Sequence, residues 1–175
     1  MRALLLALLI LPAFPRAARA DDDEEDVKIQ RYLVSLQLGD NIEEVRRVYP
    51  PASEWPAVEN KNGVTRYRVE KSMAKIFPPH VETLFVGFKK GRLVEIQTVF
   101  DEKKSRAQPV NKLAGEYALV YGEGHRSGNR FWWSDGRTVL RVFHSDVPLA
   151  GDGADAVAWR TAVQVFDQSL AGSGD

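Results

Sequence analysis

The chain has 175 residues, of which 44% are hydrophobic and 27% are charged, with 24 basic side chains, 24 acidic side chains and no cysteine. This composition is typical of a globular protein, and the balanced charge argues against bulk electrostatic attraction to nucleic acid. The absence of cysteine excludes disulfides, a thiol nucleophile and the lipidated cysteine of a bacterial lipoprotein.

Residues 1–20 have the order of a secretory signal peptide: a basic residue near the start, an apolar run at 4–11, and small residues Ala18 and Ala20 before an acidic stretch. The apolar run is too short to cross a bilayer, which needs about 20 residues. Cleavage after Ala20 would leave 21 basic and 24 acidic residues, a net charge of −3. Because an exported chain without cysteine fits a bacterial envelope, we expect a periplasmic or secreted protein that does not span the membrane.

The acidic run DDDEED at 21–26 has nothing apolar to bury, and its like charges repel, so we expect a disordered arm over 21–30. Calcium binding is the alternative, although calcium sites need ligands at spacings that a loop defines. A chain of about 150 residues buries roughly 70% of its unfolded surface. We therefore expect a single domain over 31–170 and a flexible tail over 171–175.

The stretch LGDNIEEVRRVYPP at 38–51 predicts the first helix. Asp40 can cap it, and Glu43 follows three residues later, as in a capping box. Apolar residues fall on one face, and two prolines end the helix. Three strands are then predicted, at 65–71, 82–88 and 93–101. A tight turn at 89–92 joins the last two of them.

A similar order recurs in the second half of the chain. The stretch PVNKLAGEYALVYGEG at 109–124 predicts a second helix that ends at a glycine, and strands follow at 129–135, 137–143 and 156–167. Short segments of the halves also match, such as IQTVFD and VQVFD. The sequence thus predicts an α+β fold, a tandem duplication over about 36–104 and 105–168. Each repeat would be a helix followed by a three-stranded antiparallel meander, with the helices on one face of the sheet.

The stretch LGDNIEEVRRVYPP resembles the leucine-glycine, acidic, valine-bearing helix that opens each repeat of beta-lactamase inhibitor proteins and of the small outer-membrane protein of the barrel-assembly machinery. This resemblance implies helix-plus-antiparallel-sheet repeats and a non-enzymatic module whose open sheet face or loops bind another protein. The second repeat lacks the leucine-glycine start, and no interface residue can be carried over.

The candidates for catalysis are the three histidines, His80, His125 and His144. The run HSD that begins at His144 contains the residue types of a catalytic triad, but adjacent residues cannot converge as nucleophile, base and orienting group. A metal site from His125, His144 and Asp146 or Asp152 stays open, without the paired histidine spacing that would support it. We expect a protein that is not an enzyme and has no cofactor or metal. The alternative is a periplasmic hydrolase that uses His125 or His144 at the sheet edge.

The stretch GNRFWWSDGRTVLRVF at 128–143 predicts a hairpin closed by a two-residue Asp-Gly turn at 135–136. In that register, Arg130 lies opposite Arg141, and Trp132 lies opposite Val139. Arginines are rarely buried unpaired, which decides the orientation of the two faces. The predicted core set is Phe131, Trp133, Thr138, Leu140 and Val142, and the predicted solvent set is Arg130, Trp132, Val139, Arg141 and Phe143.

Two arginines directly opposite each other repel, so another interaction should offset the repulsion. In one interpretation the guanidinium groups stack on Trp132 and pair with acids of a neighbouring strand, such as Glu95. In the other, Arg130, Trp132, Arg141 and Phe143 form a platform for an acidic or aromatic protein partner. The loop that carries His125 would add a further contact. We therefore expect a binding or inhibitory module that engages a protein partner in the bacterial envelope.

Overall fold

The computed structural model describes residues 27–148 and 157–168. The predicted signal peptide, the acidic run and the C-terminal tail lie outside the described residues. Residues 27–30, the end of the predicted arm, lie within them, and Ile29 is buried in the core.

The described part of the chain consists mainly of strands. Its helices are α1 (Ile42–Val48), α2 (Glu102–Ala107) and α3 (Val110–Tyr121), with a short 3-10 turn at Lys71–Met73. The strands are β1 (Tyr32–Leu33), β2 (Leu36–Gln37), β3 (Ala57–Lys61), β4 (Val64–Glu70), β5 (Val81–Lys89), β6 (Arg92–Phe100), β7 (His125–Ser127), β8 (Arg130–Ser134), β9 (Thr138–Pro148) and β10 (Val157–Asp167). Strands β1 and β2 form a small ribbon, and the other eight form one antiparallel sheet in the order β3-β4-β5-β6-β10-β9-β8-β7.

The predicted tandem α+β arrangement of helices and three-stranded meanders is therefore wrong. The eight strands form one continuous sheet, and the fold is mostly β, with only three helices among the described residues. Two strands of the eight-stranded sheet were not predicted: β3, whose residues are all exposed, and β7, which has three exposed residues. The short ribbon of β1 and β2 was not predicted either. Exposed edge strands need no apolar alternation, so their sequences carry no strand signal. Helix α2 was also missed, because it has no buried residue.

Helix α1 begins one residue later than predicted. Asn41, rather than Asp40, is the N-cap: its side chain accepts hydrogen bonds from the amides of Glu43 and Glu44, both at 3.0 Å. The Glu44 carboxylate accepts in return from the Asn41 amide at 2.7 Å, which completes the capping box. Asp40 instead accepts from the amide of Gln37. Both residue types make good caps, so composition alone did not separate them.

The hairpin of β8 and β9 has a longer connection than the predicted two-residue turn. Ser134 pairs with Val139, and the Asp135 carboxylate accepts hydrogen bonds from the amides of Arg137 at 3.0 Å and Thr138 at 2.6 Å. The predicted pairing of Arg130 with Arg141 is consequently wrong, because Trp132 lies opposite Arg141. The slip equals two residues, and a two-residue slip leaves every side chain on the same face.

The sheet has a core face and an open face. The core face packs against α1, α3 and the segment 29–38 that precedes α1. Its buried side chains include Val69, Leu84, Val86, Ile96, Trp133, Leu140, Val142, Val163 and Val165. Trp133 is 5% exposed, as its predicted place in the core requires. Trp132, its neighbour in the same strand, points to the open face. No helix in the described ranges is long and apolar enough to cross a membrane.

Candidate functional site

A row of side chains crosses the open face from strand to strand. Residues directly opposite each other in an antiparallel pair share a face, so the pairing register defines the row. From β7 to β4 it reads His125, Trp132, Arg141, Gln164, Gln97, Phe85 and Arg68. The next row towards the β8–β9 loop contains Phe166, Glu95, Gly87 and Arg66. The open face is thus rich in charge and aromatic rings.

A groove of about 380 Å³ lies on the open face. Gly87 helps to form it, because a Cβ atom there would lie 3.0 Å from Glu95 Cβ and 3.2 Å from Val64 Cγ1. The glycine therefore permits two strands to bring their side chains close together. The groove is lined by Glu59, Lys61, Asn62, Val64, Arg66, Val94, Glu95, Gln97, Arg130, Arg141, Phe143, Gln164 and Phe166.

One side of the groove holds a closed charge network around Arg66. Its Nε lies 3.2 Å from Glu95 Oε1, and its Nη2 donates to Gln97 Oε1 at 2.6 Å. Gln164 Nε2 donates to the same Glu95 oxygen at 2.8 Å. The Arg66 guanidinium also lies 4.2 Å from the centroid of the Phe85 ring. Glu95, the predicted partner of the hairpin arginines, thus pairs with Arg66 instead.

The other side of the groove holds Arg141, which is half-buried. Its guanidinium carbon lies 4.4 Å from the centroid of the Phe166 ring. No carboxylate oxygen of the described residues lies within 4.0 Å of the guanidinium nitrogens of Arg141. Burial lowers the pKa of Arg141, the positive charge of Arg130 lowers it further, and the negative charge of Glu95 offsets part of the effect. Arg141 is therefore a half-buried cation without an ion-pair partner in this part of the chain.

The surface continues beyond Arg141 with Arg130, Phe143, Trp132 and His125. The Arg130 guanidinium is exposed and lies 5.9 Å from the centroid of the Phe143 ring. The Trp132 ring stacks on His125, with 5.5 Å between centroids and an interplanar angle of 27°. The prediction that guanidinium groups stack on Trp132 is wrong, because the arginines contact Phe143 and Phe166 and an imidazole occupies the tryptophan face. All five predicted site residues lie on this one surface.

The histidines do not assemble a hydrolase site within the described ranges. His125 stacks on Trp132, and His144 stacks on Trp159 with 5.6 Å between ring centroids. Ser105 lies in the same surface cleft as His144, but its hydroxyl donates to the Phe100 carbonyl at 3.3 Å and accepts from the Thr161 amide at 3.1 Å. A nucleophile needs a base that takes its proton, whereas the Ser105 hydroxyl donates its proton in a hydrogen bond to a backbone carbonyl, which is not a base.

A third histidine meets a carboxylate elsewhere: His80 Nδ1 lies 3.5 Å from Asp101 Oδ2. Asp101 also caps α2 by accepting from the Lys104 amide at 2.7 Å, so this pair has a structural explanation. Within 27–148 and 157–168, no three histidine, aspartate or glutamate side chains come together to hold a metal ion. Asp152, considered for such a site, lies outside these ranges.

Sequence reasoning did not identify Arg66, Gln97, Gln164 and Phe166 as part of this surface. A signal was present, since polar residues alternate with apolar ones along β4 and β6, as in TRYRV and VEIQT. The sequence contains no such signal for the order of the strands, which brings Arg66 and Gln164 to the same carboxylate. Neither a protein-family model, nor a curated protein, nor a solved structure matches the chain.

Proposed function

We propose that this protein is a non-enzymatic binding or inhibitory module that engages a protein partner in the bacterial envelope through the open face. The observation that carries the proposal is the continuous surface of His125, Trp132, Arg141, Arg130 and Phe143 beside the groove. The envelope location comes from the signal-peptide pattern at 1–20.

The composition of this surface supports binding. Tryptophan and arginine are enriched among the residues that carry most of the energy of protein interfaces. A groove of about 380 Å³ also reaches the size of clefts that bind small molecules, roughly 300–1,000 Å³, so it has room for a side chain of a partner. The core face already contains the buried aliphatic cluster, so the rings and cations of the open face are not required for that core.

The rigidity of the sheet supports the proposal as well. The positions in the row from β7 to β4 are fixed by pairs of neighbouring strands. Aromatic stacking further restricts Trp132 and His125. A surface that is ordered before binding loses less conformational entropy when a partner docks, which favours affinity.

Photo-cross-linking in the producing cell tests this proposal. Benzoylphenylalanine is placed at position 143, on the open face, and in a second variant at position 119, where Leu119 is 89% exposed on α3. We expect a discrete adduct with one partner protein from position 143 and none from position 119. An adduct of equal yield from both positions, or none from position 143, contradicts the proposal.

A further inference from the structure

The charges that line the groove are not balanced. Arg66 contacts both acidic side chains of the lining, with Glu95 at 3.2 Å and Glu59 at 3.8 Å. Arg130 and Arg141 line the same groove, and no acid of the described residues lies within ion-pair distance of either. The groove thus has one ion-paired arginine on its β4 side and two arginines without an ion pair on its β8–β9 side; its remaining cation, Lys61, is exposed.

The position of Arg141 makes this imbalance costly to the protein alone. A half-buried charge loses part of its hydration, and a second cation nearby adds repulsion. The Phe166 ring, 4.4 Å from the guanidinium carbon, offsets part of this cost through its π face. A carboxylate would offset more, because a guanidinium offers two parallel donors that match the two carboxylate oxygens.

The rings beside the arginines shape the site for a side chain with an apolar stem. Phe166 lies against Arg141, and Phe143 lies near Arg130, so the two cations are flanked by hydrocarbon surface. An aspartate or glutamate could place its carboxylate between the guanidinium groups and its methylene carbons against a ring. Such a contact excludes water from the ion pair, which strengthens it.

We propose that Arg141, assisted by Arg130, forms a carboxylate-binding subsite that receives an aspartate or glutamate side chain of the protein partner. This inference rests on the proposed function and adds the chemistry of the group that the partner presents. The competing occupant is the chain's own acidic run at 21–26, which the experiment separates from an external ligand.

The test is a titration of the full exported chain with a hexaglutamate peptide, with a hexaglutamine peptide as control, followed by NMR of arginine side-chain Nε–H groups. We expect saturable shifts of Arg141 and Arg130 with hexaglutamate only, and weaker binding as salt rises. Shifts that are no larger at Arg141 than at the exposed Arg137 overturn the proposal, as does inorganic phosphate that binds as tightly as the peptide.

Matched variants sharpen the titration. Arg141→Gln should weaken hexaglutamate binding by about tenfold or more, as removal of a charged hydrogen-bonding partner does. Arg137→Gln removes the same charge from the loop of the same hairpin and should leave the affinity within about twofold, because exposed distant charges act weakly. Equal losses in the two variants would show a nonspecific charge effect and overturn the subsite.

Two further outcomes separate this proposal from its alternatives. If replacing the acids at 21–26 by their amides raises peptide affinity about tenfold and shifts Arg141 without peptide, the chain's own arm is the occupant and the proposal is overturned. If Arg141→Gln leaves the cross-link from position 143 at full yield, the subsite is overturned while the proposed function stands.

Discussion

The core face and the open face are built by the same strands, yet they satisfy their side chains in opposite ways. On the core face, aliphatic side chains such as Leu84, Ile96 and Val142 are completely buried. On the open face, cations lie against rings and only part of the charge is paired within the described residues. Because neighbours in a strand alternate between the faces, one substitution can alter one face and spare the other.

The stability of this sheet resides on the core face, whereas the proposed recognition surface lies on the open face. Burial of apolar surface dominates folding, and it is concentrated on the core face. The open face contains groups whose electrostatic needs are incompletely met, and such groups gain most from a partner. Trp132 and Trp133 are adjacent in β8 and belong to different faces, so they provide an internal test.

The largest expected effect comes from Trp133. Its ring is buried, it lies 5.9 Å from the ring of Tyr117, and its Nε1 donates to the Gly122 carbonyl at 2.9 Å. Trp133→Ala should lower the free energy of unfolding by about 3–5 kcal/mol, because it leaves a cavity and an unpaired carbonyl. Trp132→Ala should cost about 1 kcal/mol or less. Urea unfolding that gives equal losses would erase the distinction between the faces.

The next effect concerns a charge on the core face that does have a partner. Asp167 is 1% exposed, and Arg31 lies 2.5 Å from it. Arg31→Met should cost about 3 kcal/mol, because it removes a counter-charge that lies against a buried carboxylate. The matched control is Arg46→Met, since Arg46 pairs with Glu43 at 3.5 Å on an exposed helix surface. That change should cost about 0–1 kcal/mol, and a similar loss in both variants would contradict the assignment.

A smaller effect is expected at Asp135, where the β8–β9 loop meets the N-terminal segment. Its Oδ2 accepts from the Ile29 amide at 3.0 Å, in addition to the two loop amides. Asp135→Ala should cost about 1–2 kcal/mol at neutral pH. Asp135→Asn should cost less than Asp135→Ala, because the remaining side-chain oxygen can still accept the two loop hydrogen bonds. Only the hydrogen bond from the Ile29 amide is lost, since an NH₂ group cannot accept it.

The same residue predicts a pH dependence. Burial raises the pKa of Asp135, but the hydrogen bonds from the amides of Thr138, Arg137 and Ile29 outweigh burial and lower the pKa below its ordinary value. A lowered folded-state pKa means that the stabilisation is present above the unfolded pKa and is lost as pH falls through the folded pKa. Unfolding measured below about pH 4 should therefore show a steeper loss in the parent chain than in Asp135→Ala. Parallel curves would contradict this account.

The smallest effect on stability is expected from Arg130 on the open face. Its guanidinium is exposed and repels Arg141, so Arg130→Gln should change the free energy of unfolding by about 0.5 kcal/mol or less, in the stabilising direction at low salt. Urea unfolding at two salt concentrations should show the gain shrinking as salt screens the repulsion. A loss of more than about 1 kcal/mol would show that Arg130 supports the fold instead.

The predicted elements that the structure contains are those whose burial leaves a periodic pattern. The strands predicted at 65–71, 82–88 and 93–101 correspond to β4, β5 and β6 within a residue or so at each end. The tight turn at 89–92 is also present, with positive φ of 50° at Lys90 and 74° at Gly91, as a type I′ turn requires. The edge strands β3 and β7 bury nothing, so sequence periodicity could not reveal them. The predicted architecture, which omitted both strands, was wrong.

The candidate surface was predictable only within one hairpin. Strand alternation places Trp132 and Trp133 on different faces. This prediction is correct although the predicted register is wrong by two residues, because a shift of two residues keeps each side chain on its face. The lateral neighbours of Arg141 depend on β6 pairing with β10, a contact between residues about 65 positions apart. No local pattern specifies such a pairing, so the Arg66 and Glu95 network and the Phe166 ring could not be placed.

The most direct test of the open face compares two tryptophans in their effect on partner affinity. Once the cross-linked partner is known, its affinity is measured for the parent chain, for Trp132→Ala and for Trp159→Ala. Trp159 is 64% exposed and stacks on His144, away from the groove. We expect Trp132→Ala to weaken binding by at least about 2 kcal/mol and Trp159→Ala to have little effect. Undiminished affinity in Trp132→Ala, with the fold intact, would contradict the claim that the open face is the binding surface.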